Sequence, residues 1–282
     1  MKEIFLGMPT LMEYSTVKEN ILLAKELHLD FVELNINMLY CYPTPEFRYE
    51  MLRYKDQYNI QFSMHYYDTV DVSTPNRNYQ NYLFKDMHEI GYTLNGIIDR
   101  MVMHIEPGAY MTIYSEKEYV YKYDQDYVYR TIDNLRKMRD ILLEYDIELV
   151  LENVPIHPFM EKLYEALGEN HFNFCWDIGH DVIYNYFLFS TWREKYNLNV
   201  KHMHMHNVLY GTKDHQKLIL GDLQIKEYLK YAMINDVRIV VEVKDIANLK
   251  ESINFIRAFE AEVEANTSLS ANIVKPKINY AK

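Results

Sequence analysis

The sequence predicts an α/β fold, a single-domain (β/α)8 TIM barrel, on three observations. Eight short apolar runs of β type alternate with amphipathic segments of helical length. The length, 282 residues, suits one barrel of this kind. His, Asp and Glu collect where the runs end, although charged and imidazole groups are seldom buried at strand ends unless paired or bound to metal.

The first run, IFLGM, ends near Met8. Thr16 with Glu19 has the spacing of a capping box, and VKENILLAKELH after it places Val17, Ile21, Leu22, Ala24 and Leu27 largely on one face. The run FVELN carries Glu33, and Thr44–Pro45 then starts a helix through EFRYEMLRYKDQYN. FSMHYY carries His65 and precedes the helix NYQNYLFKDMHEIGYTLN; MVMHIE carries His104 and precedes YVYRTIDNLRKMRDILLEY. ELVLEN ends on Glu152, with a short helix expected over 156–170. FNFCWDIGH carries Asp177 and His180, and 183–197 is aromatic and loosely helical. HMHMHN precedes the helix LQIKEYLKYAMIND, and IVVEVK, with Glu242, precedes NLKESINFIRAFEAEVEA. Strand then helix, eight times, calls for parallel strands with crossover helices, and eight units in this length favour closure over an open sheet. No linker rich in Pro, Gly or Ser divides the chain. Residues 1–265 read as the barrel, with its site at the carboxyl ends of the strands, and 266–282 as a C-terminal tail without periodicity.

Composition narrows the function. An apolar fraction of 49% is ordinary for a protein with a sizeable core. A formal charge of −11 argues against a broad basic surface for nucleic acid, leaving only a local patch open. The two cysteines, Cys41 and Cys175, give no disulfide framework, so a reducing cytoplasm is expected. The chain opens straight into a strand without a signal-peptide pattern, and no apolar run reaches membrane-spanning length, so no membrane partner is expected. With eight glycines there is no GxxxxGK[ST], GxGxxG or GxSxG. The 27 tyrosines suit packing in core and rim, with a few available to stack on a ligand.

The chemistry lies in two groups of residues. Glu152, Asp177, His204 and Glu242 end strands five to eight. Three carboxylates and an imidazole make a hard, anionic pocket for Mn²⁺, Mg²⁺, Co²⁺ or Zn²⁺. A carboxylate paired with lysine explains any one of them, but four unpaired buried charges on consecutive strands would be too costly. His65, His104, His180 and His215 form the second group. They suit a second or third metal, or the grip on an anionic or polyhydroxylated ligand; for each alone, a satisfied core or rim histidine is the plainer reading. His202, His204 and His206 share one face of strand seven, and spacing does not choose between His204 and His206. The remaining members would pack inside the barrel or hydrogen-bond to neighbouring carboxylates. Lys244 alternates with Glu242 on strand eight and would neutralise it or bind a substrate oxygen. Glu33 is a candidate polar wall for substrate, or equally a capping or rim residue.

FSMHYYDTVDVSTPN, MVMHIEPG, LVLENVP, CWDIGH, HMHMHN, DHQKLILGDL and VVEVK, in this order, resemble the xylose isomerase-like TIM-barrel superfamily. The superfamily includes sugar and sugar-phosphate isomerases and epimerases and the endonuclease IV type of abasic-site endonuclease. In the first branch the resemblance implies one divalent ion on Glu152, Asp177, His204 and Glu242. Glu152 and Glu242 then shuttle a proton at the substrate carbon, the enediolate is stabilised by the metal, and His180 touches substrate oxygens. In the endonuclease branch it implies three zinc ions: the same four residues hold one, His65, His104 and Glu152 a second, and His180 with His215 part of a third. The resemblance also selects His204 over His206. Two departures count against the endonuclease pattern: an Asp-Arg-His triplet is replaced by Lys213, Asp214 and His215, and Glu106 intervenes in HIEPG.

The first reading is therefore a divalent-metal-dependent isomerase or epimerase of a small sugar, sugar phosphate or polyol, holding one ion and up to three. The alternative is an endonuclease IV-like multi-zinc phosphodiesterase acting on abasic DNA. A third is a barrel that binds a ligand with its metal and does not turn it over. The expected partner is a small carbohydrate; the oligomeric state stays open.

Overall fold

The computed structural model describes residues 4–265, so the expected tail, 266–282, lies outside the described residues. Eight parallel strands close into a barrel: β1 (Leu6–Pro9), β2 (Phe31–Asn35), β3 (Gln61–His65), β4 (Ile98–His104), β5 (Glu148–Glu152), β6 (Asn173–Asp177), β7 (Asn199–Met205) and β8 (Arg238–Val241). Each pairs with its sequence neighbours, and β8 closes on β1. The expected fold class is the observed one.

The helices form where periodicity placed them. Val17–Glu26 (α1) carries the full capping box between Thr16 and Glu19. On it Val17, Ile21 and Ala24 are buried as expected, but Leu22 is exposed and Asn20 is buried in its stead. The reason is local: the Asn20 amide donates to the Thr16 carbonyl, and its Oδ1 accepts from the Leu11 N–H. Pro45–Tyr58 (α2), Arg77–Leu94 (α3) and Tyr127–Leu143 (α4) follow β2, β3 and β4. After β5, a 3-10 turn at Pro158–Met160 leads into Glu161–Glu169 (α5). Directly behind β6 comes a separate short helix, Ile178–Ile183 (α6), and of the stretch expected as loosely helical over 183–197, Leu188–Tyr196 (α7) is helical. Tyr186 and Phe187 take φ of 47° and 63° between them, which no helix continues through. Ile225–Asn235 (α8) and Ile246–Ala265 (α9) complete the ring. Among the described residues no helix is long and apolar enough to cross a membrane.

Outward-facing Met101, Met103, Leu149, Leu151, Phe174, Trp176, Met203 and Met205 join the helices in one continuous core. Inside the barrel the alternation places a different set. Val102, Val150 and Cys175 form a small apolar cluster there. Both cysteines are free and buried. Register then sets the level of the mouth: His104 lies beside Glu152, Asp177 beside His204, and Asn35 beside His65. At the other end Gly7 makes room for Phe31, whose ring would lie 2.6 Å from a Cβ at that position.

Two antiparallel hairpins interrupt the plain alternation: Tyr110–Ile113 with Glu116–Tyr119 after β4, and Asn207–Leu209 with Lys213–Gln216 after β7. Phe31 is fully buried and has nowhere to move. Gly7→Ala should therefore cost about 1–3 kcal/mol by overpacking, read as a lower urea midpoint with the slope unchanged. An unchanged midpoint would contradict the close approach.

Candidate metal centre

The carboxyl ends of β3 to β8 converge on one carboxylate. Glu152, 1% exposed, points into the mouth from the end of β5. Its Oε2 lies 3.1 Å from His65 Nε2, 3.2 Å from His204 Nδ1 and 3.5 Å from His104 Nε2, and its Oε1 lies 3.6 Å from His180 Nδ1. Asp177, fully buried at the end of β6, caps α6 by accepting the His180 N–H at 2.6 Å. Its other oxygen lies 3.4 Å from His180 Nδ1. Glu242, just past β8, brings Oε2 to 3.4 Å from the same His204 nitrogen that faces Glu152.

Hydrogen bonds on the far side of each ring decide which nitrogen faces the mouth. A carbonyl can only accept, so His65 donates Nδ1–H to the Tyr66 carbonyl (2.8 Å), His104 to that of Asp68 (2.9 Å) and His215 to that of Glu242 (3.0 Å). Their Nε2 atoms are turned to the mouth; that of His65 donates to Glu152 Oε2 at 3.1 Å, a proton a metal there would have to displace. His204 does the same with its nitrogens exchanged: Nε2 donates to Glu33 Oε1 at 2.7 Å, freeing Nδ1 for the mouth. This fixing of one nitrogen by an acceptor is the arrangement of metal-binding histidines.

His206 is different. Its Nδ1 accepts the His215 N–H at 2.8 Å, so a neutral ring carries its proton on Nε2, 3.2 Å from Asp177 Oδ1. Asp177 outweighs burial and draws this imidazole toward protonation, but a second proton on Nδ1 would confront the His215 N–H. His206 therefore turns Nε2 toward Asp177 without completing a hydrogen bond, while His204 keeps Nδ1 turned to the mouth. Spacing alone left that choice open.

Several buried polar atoms here have no hydrogen-bond partner: Asp177 Oδ2, His180 Nδ1, His204 Nδ1 and Glu242 Oε2. Orphaned buried groups are costly, and a cation among carboxylates and lone-pair nitrogens would satisfy all four. The donor set fits a divalent metal. Groups with ligand-atom spacing include His65 with Glu152 and His204, Glu152 with Asp177 and His180, and His180 with His206 and His215.

No known family model and no curated protein sequence matches this chain. Solved structures do. A D-tagatose 3-epimerase-like protein is 18% identical, with a TM-score of 0.74, over 94% of this chain and 100% of its own. D-psicose 3-epimerase from Clostridium cellulolyticum H10 is 11% identical, with a TM-score of 0.71, over 92% and 99%. A xylose isomerase domain protein from Planctomyces limnophilus is 14% identical, with a TM-score of 0.70, over 93% and 98%. The chain shares its (β/α)8 barrel fold with these proteins.

Within the barrel, the remaining expected residues fall in distinct places. His180 lies in the first turn of α6 and His215 on the second hairpin; their ring centroids are 5.8 Å apart, and His215 stacks on His206 at 4.3 Å. Lys244 lies in the loop after β8, not on the strand, with its ammonium exposed 4.0 Å from Glu242 Oε1. Glu33 sits beneath the mouth, 3% exposed, and Ser63 donates to its second oxygen at 2.9 Å. Sequence reasoning set the spare strand-seven histidines inside the barrel or beside carboxylates, but it did not give Glu33 its place as partner of His204.

Gly179 explains how α6 comes so close. A Cβ there would lie 2.0 Å from His206 Cε1. Gly179→Ala should push His206 off Asp177 and weaken metal binding by about tenfold or more, by analogy with loss of other orienting contacts, with helix content retained. Calorimetric titration with Mn²⁺ and circular dichroism together check this; wild-type affinity would contradict it.

Charge sets a pH dependence. Burial depresses the His104 and His180 imidazoles, but Glu152 lifts the first to about 10 and Asp177 the second to about 9. Burial pushes Glu152 upward, and His204 and His104 overcome it, holding the carboxyl well below its usual range. A cation entering beside Glu152 and Asp177 competes with the protons that their charges hold on His104 and His180 below those values. Affinity should therefore rise with pH through the neutral range, by up to about tenfold per unit for each proton released, and level off as pH passes the raised values. Titrations in buffers of different ionisation enthalpy would count the protons; affinity independent of pH would contradict the assignment.

Proposed function

We propose that this chain is a divalent-metal-dependent isomerase or epimerase of a small sugar or sugar derivative. The observation that carries the reading is the placing of two carboxylates, Glu152 and Glu242, on one lone-pair nitrogen of His204 at the mouth of a closed barrel. The fold neighbours, epimerases by name, support it. In this reading Glu152, Asp177, His204 and Glu242 hold the ion. When bound, it would supply Lewis-acid polarisation of a carbonyl and its neighbouring hydroxyl.

The chain's own groups do the rest. Glu152 and Glu242 remove and return a proton at the carbon beside the carbonyl, each a carboxylate held near the reacting atom. His180, packed against Tyr184 at the rim, orients substrate oxygens. Lys244 offers an exposed ammonium beside Glu242 to a hydroxyl or phosphate. His65 and His104 hold Oε2 of Glu152, the oxygen that also faces His204.

The second reading, a multi-zinc phosphodiesterase of the endonuclease IV kind, draws on a specific observation. His65 and His104 each turn Nε2 to Glu152, and His180, His206 and His215 cluster beside Asp177. Against it stand the formal charge of −11 and the loop carrying Lys213, Asp214 and His215. We rank it second.

Glu152→Gln and Glu242→Gln should each lower turnover by about 10²- to 10⁴-fold. The assay is solvent deuterium incorporation beside the carbonyl across a panel of ketoses and ketose phosphates. Metal content per chain, in protein purified without chelators, separates the readings: one ion fits the isomerase, two or three the phosphodiesterase. Cleavage of an abasic-site duplex, with no exchange into any ketose, would reverse the ranking.

A further inference from the structure

Beneath the mouth, a buried polar column runs down the inside of the barrel toward its opposite end. His204 Nε2 donates to Glu33 Oε1 at 2.7 Å. Glu33 Oε2 accepts from Ser63 and lies 3.2 Å from His202 Nε2. His202 Nδ1 lies 3.4 Å from Arg100 Nη1, which also donates to the Lys201 carbonyl at 2.7 Å. Arg100 Nη2 donates to Glu148 Oε2 at 2.7 Å, and Glu148 Oε1 accepts from Asn173 Nδ2. Glu33, Ser63, His202 and His204 are each no more than 3% exposed, and Arg100 is 8% exposed.

The protons in this column can be placed without freedom. A guanidinium only donates, so His202 Nδ1 accepts and the proton of a neutral ring sits on Nε2, toward Glu33. A serine hydroxyl bonded to a carboxylate donates. Glu33 thus accepts from His204 on one oxygen and from Ser63 on the other, with His202 Nε2 3.2 Å away but not hydrogen-bonded, and the acceptor that His204 Nε2–H meets is Glu33 Oε1. We propose that Glu33, held by Ser63 and facing an Arg100–His202 pair deeper in the barrel, is a positioning residue that fixes His204 with its Nδ1 toward the mouth. This rests on the metal reading above and goes beyond it, by tying the first ligand shell to a side chain near the other end of the barrel.

The column matters because strand seven offers the mouth three imidazoles at a spacing of two. Without Glu33, His204 would lose the partner that holds its nitrogen and ring plane. It could then turn Nε2 to Glu152 and Glu242. Removing Arg100 frees His202 to exchange its nitrogens, which changes what Glu33 faces at one remove.

The test is binding of Co²⁺ to wild type, Glu33→Gln, Glu33→Ala and Arg100→Met, with two readouts. Calorimetry gives affinity. Proton NMR of the Co²⁺-loaded protein detects the far-shifted, exchangeable imidazole N–H of His204 on the nitrogen opposite the metal. In wild type that proton should persist and exchange slowly. Glu33→Gln keeps an acceptor in place and should exchange faster, with binding about tenfold weaker. Glu33→Ala should lose the signal and about 10- to 100-fold in affinity. Arg100→Met should move both readouts the same way by less. Wild-type affinity and proton exchange in Glu33→Ala overturn the positioning role alone, while a wild type that binds no divalent ion overturns the metal reading and this inference with it.

Discussion

The rest of the mouth depends on one buried negative charge. Glu152 is withdrawn from water, and a carboxylate there is tolerable only if cations or strong donors surround it. Four imidazoles from four elements, His65, His104, His180 and His204, do so. That single requirement dictates the level at which β3, β4 and β7 must end and how closely α6 must approach. It accounts for Gly179 at the start of α6 and for the match of His104 to Glu152 across the β4–β5 pair.

Much of this was legible in the sequence, because a strand has a period of two and a barrel interior admits few charges. The pattern of apolar runs ending in His, Asp or Glu gave the barrel, the strand order and the residues at the mouth. Which of them hold a metal was an expectation from residue type and resemblance, and it passes into the proposal. What pattern did not give was the direction of each imidazole. His65, His104 and His215 are fixed by the backbone carbonyls of Tyr66, Asp68 and Glu242, and a carbonyl's position is a tertiary fact with no mark in the side-chain pattern.

The two hairpins were hidden for a related reason. Tyr114 and Ser115 turn the first one with φ of 49° and 68°, a conformation usually announced by Asn or Gly. The break between α6 and α7 at Tyr186 and Phe187 is equally silent, since neither residue signals a left-handed backbone. Leu22 followed the apolar period and still faces solvent, because Asn20 holds two backbone groups nearby. In each case a local hydrogen bond or dihedral overrode the average preference of the residue.

The raised imidazoles at the mouth carry one more consequence, for how such a protein is made. With His104 and His180 protonated at neutral pH, hydrogen ions act as placeholders opposite Glu152 and Asp177. A freshly synthesised chain can then close its barrel around a pocket whose charge is already balanced. On the proposed metal reading, cation capture would be an exchange at a finished site, whereas a small zinc-dependent domain must collect its ion to fold at all.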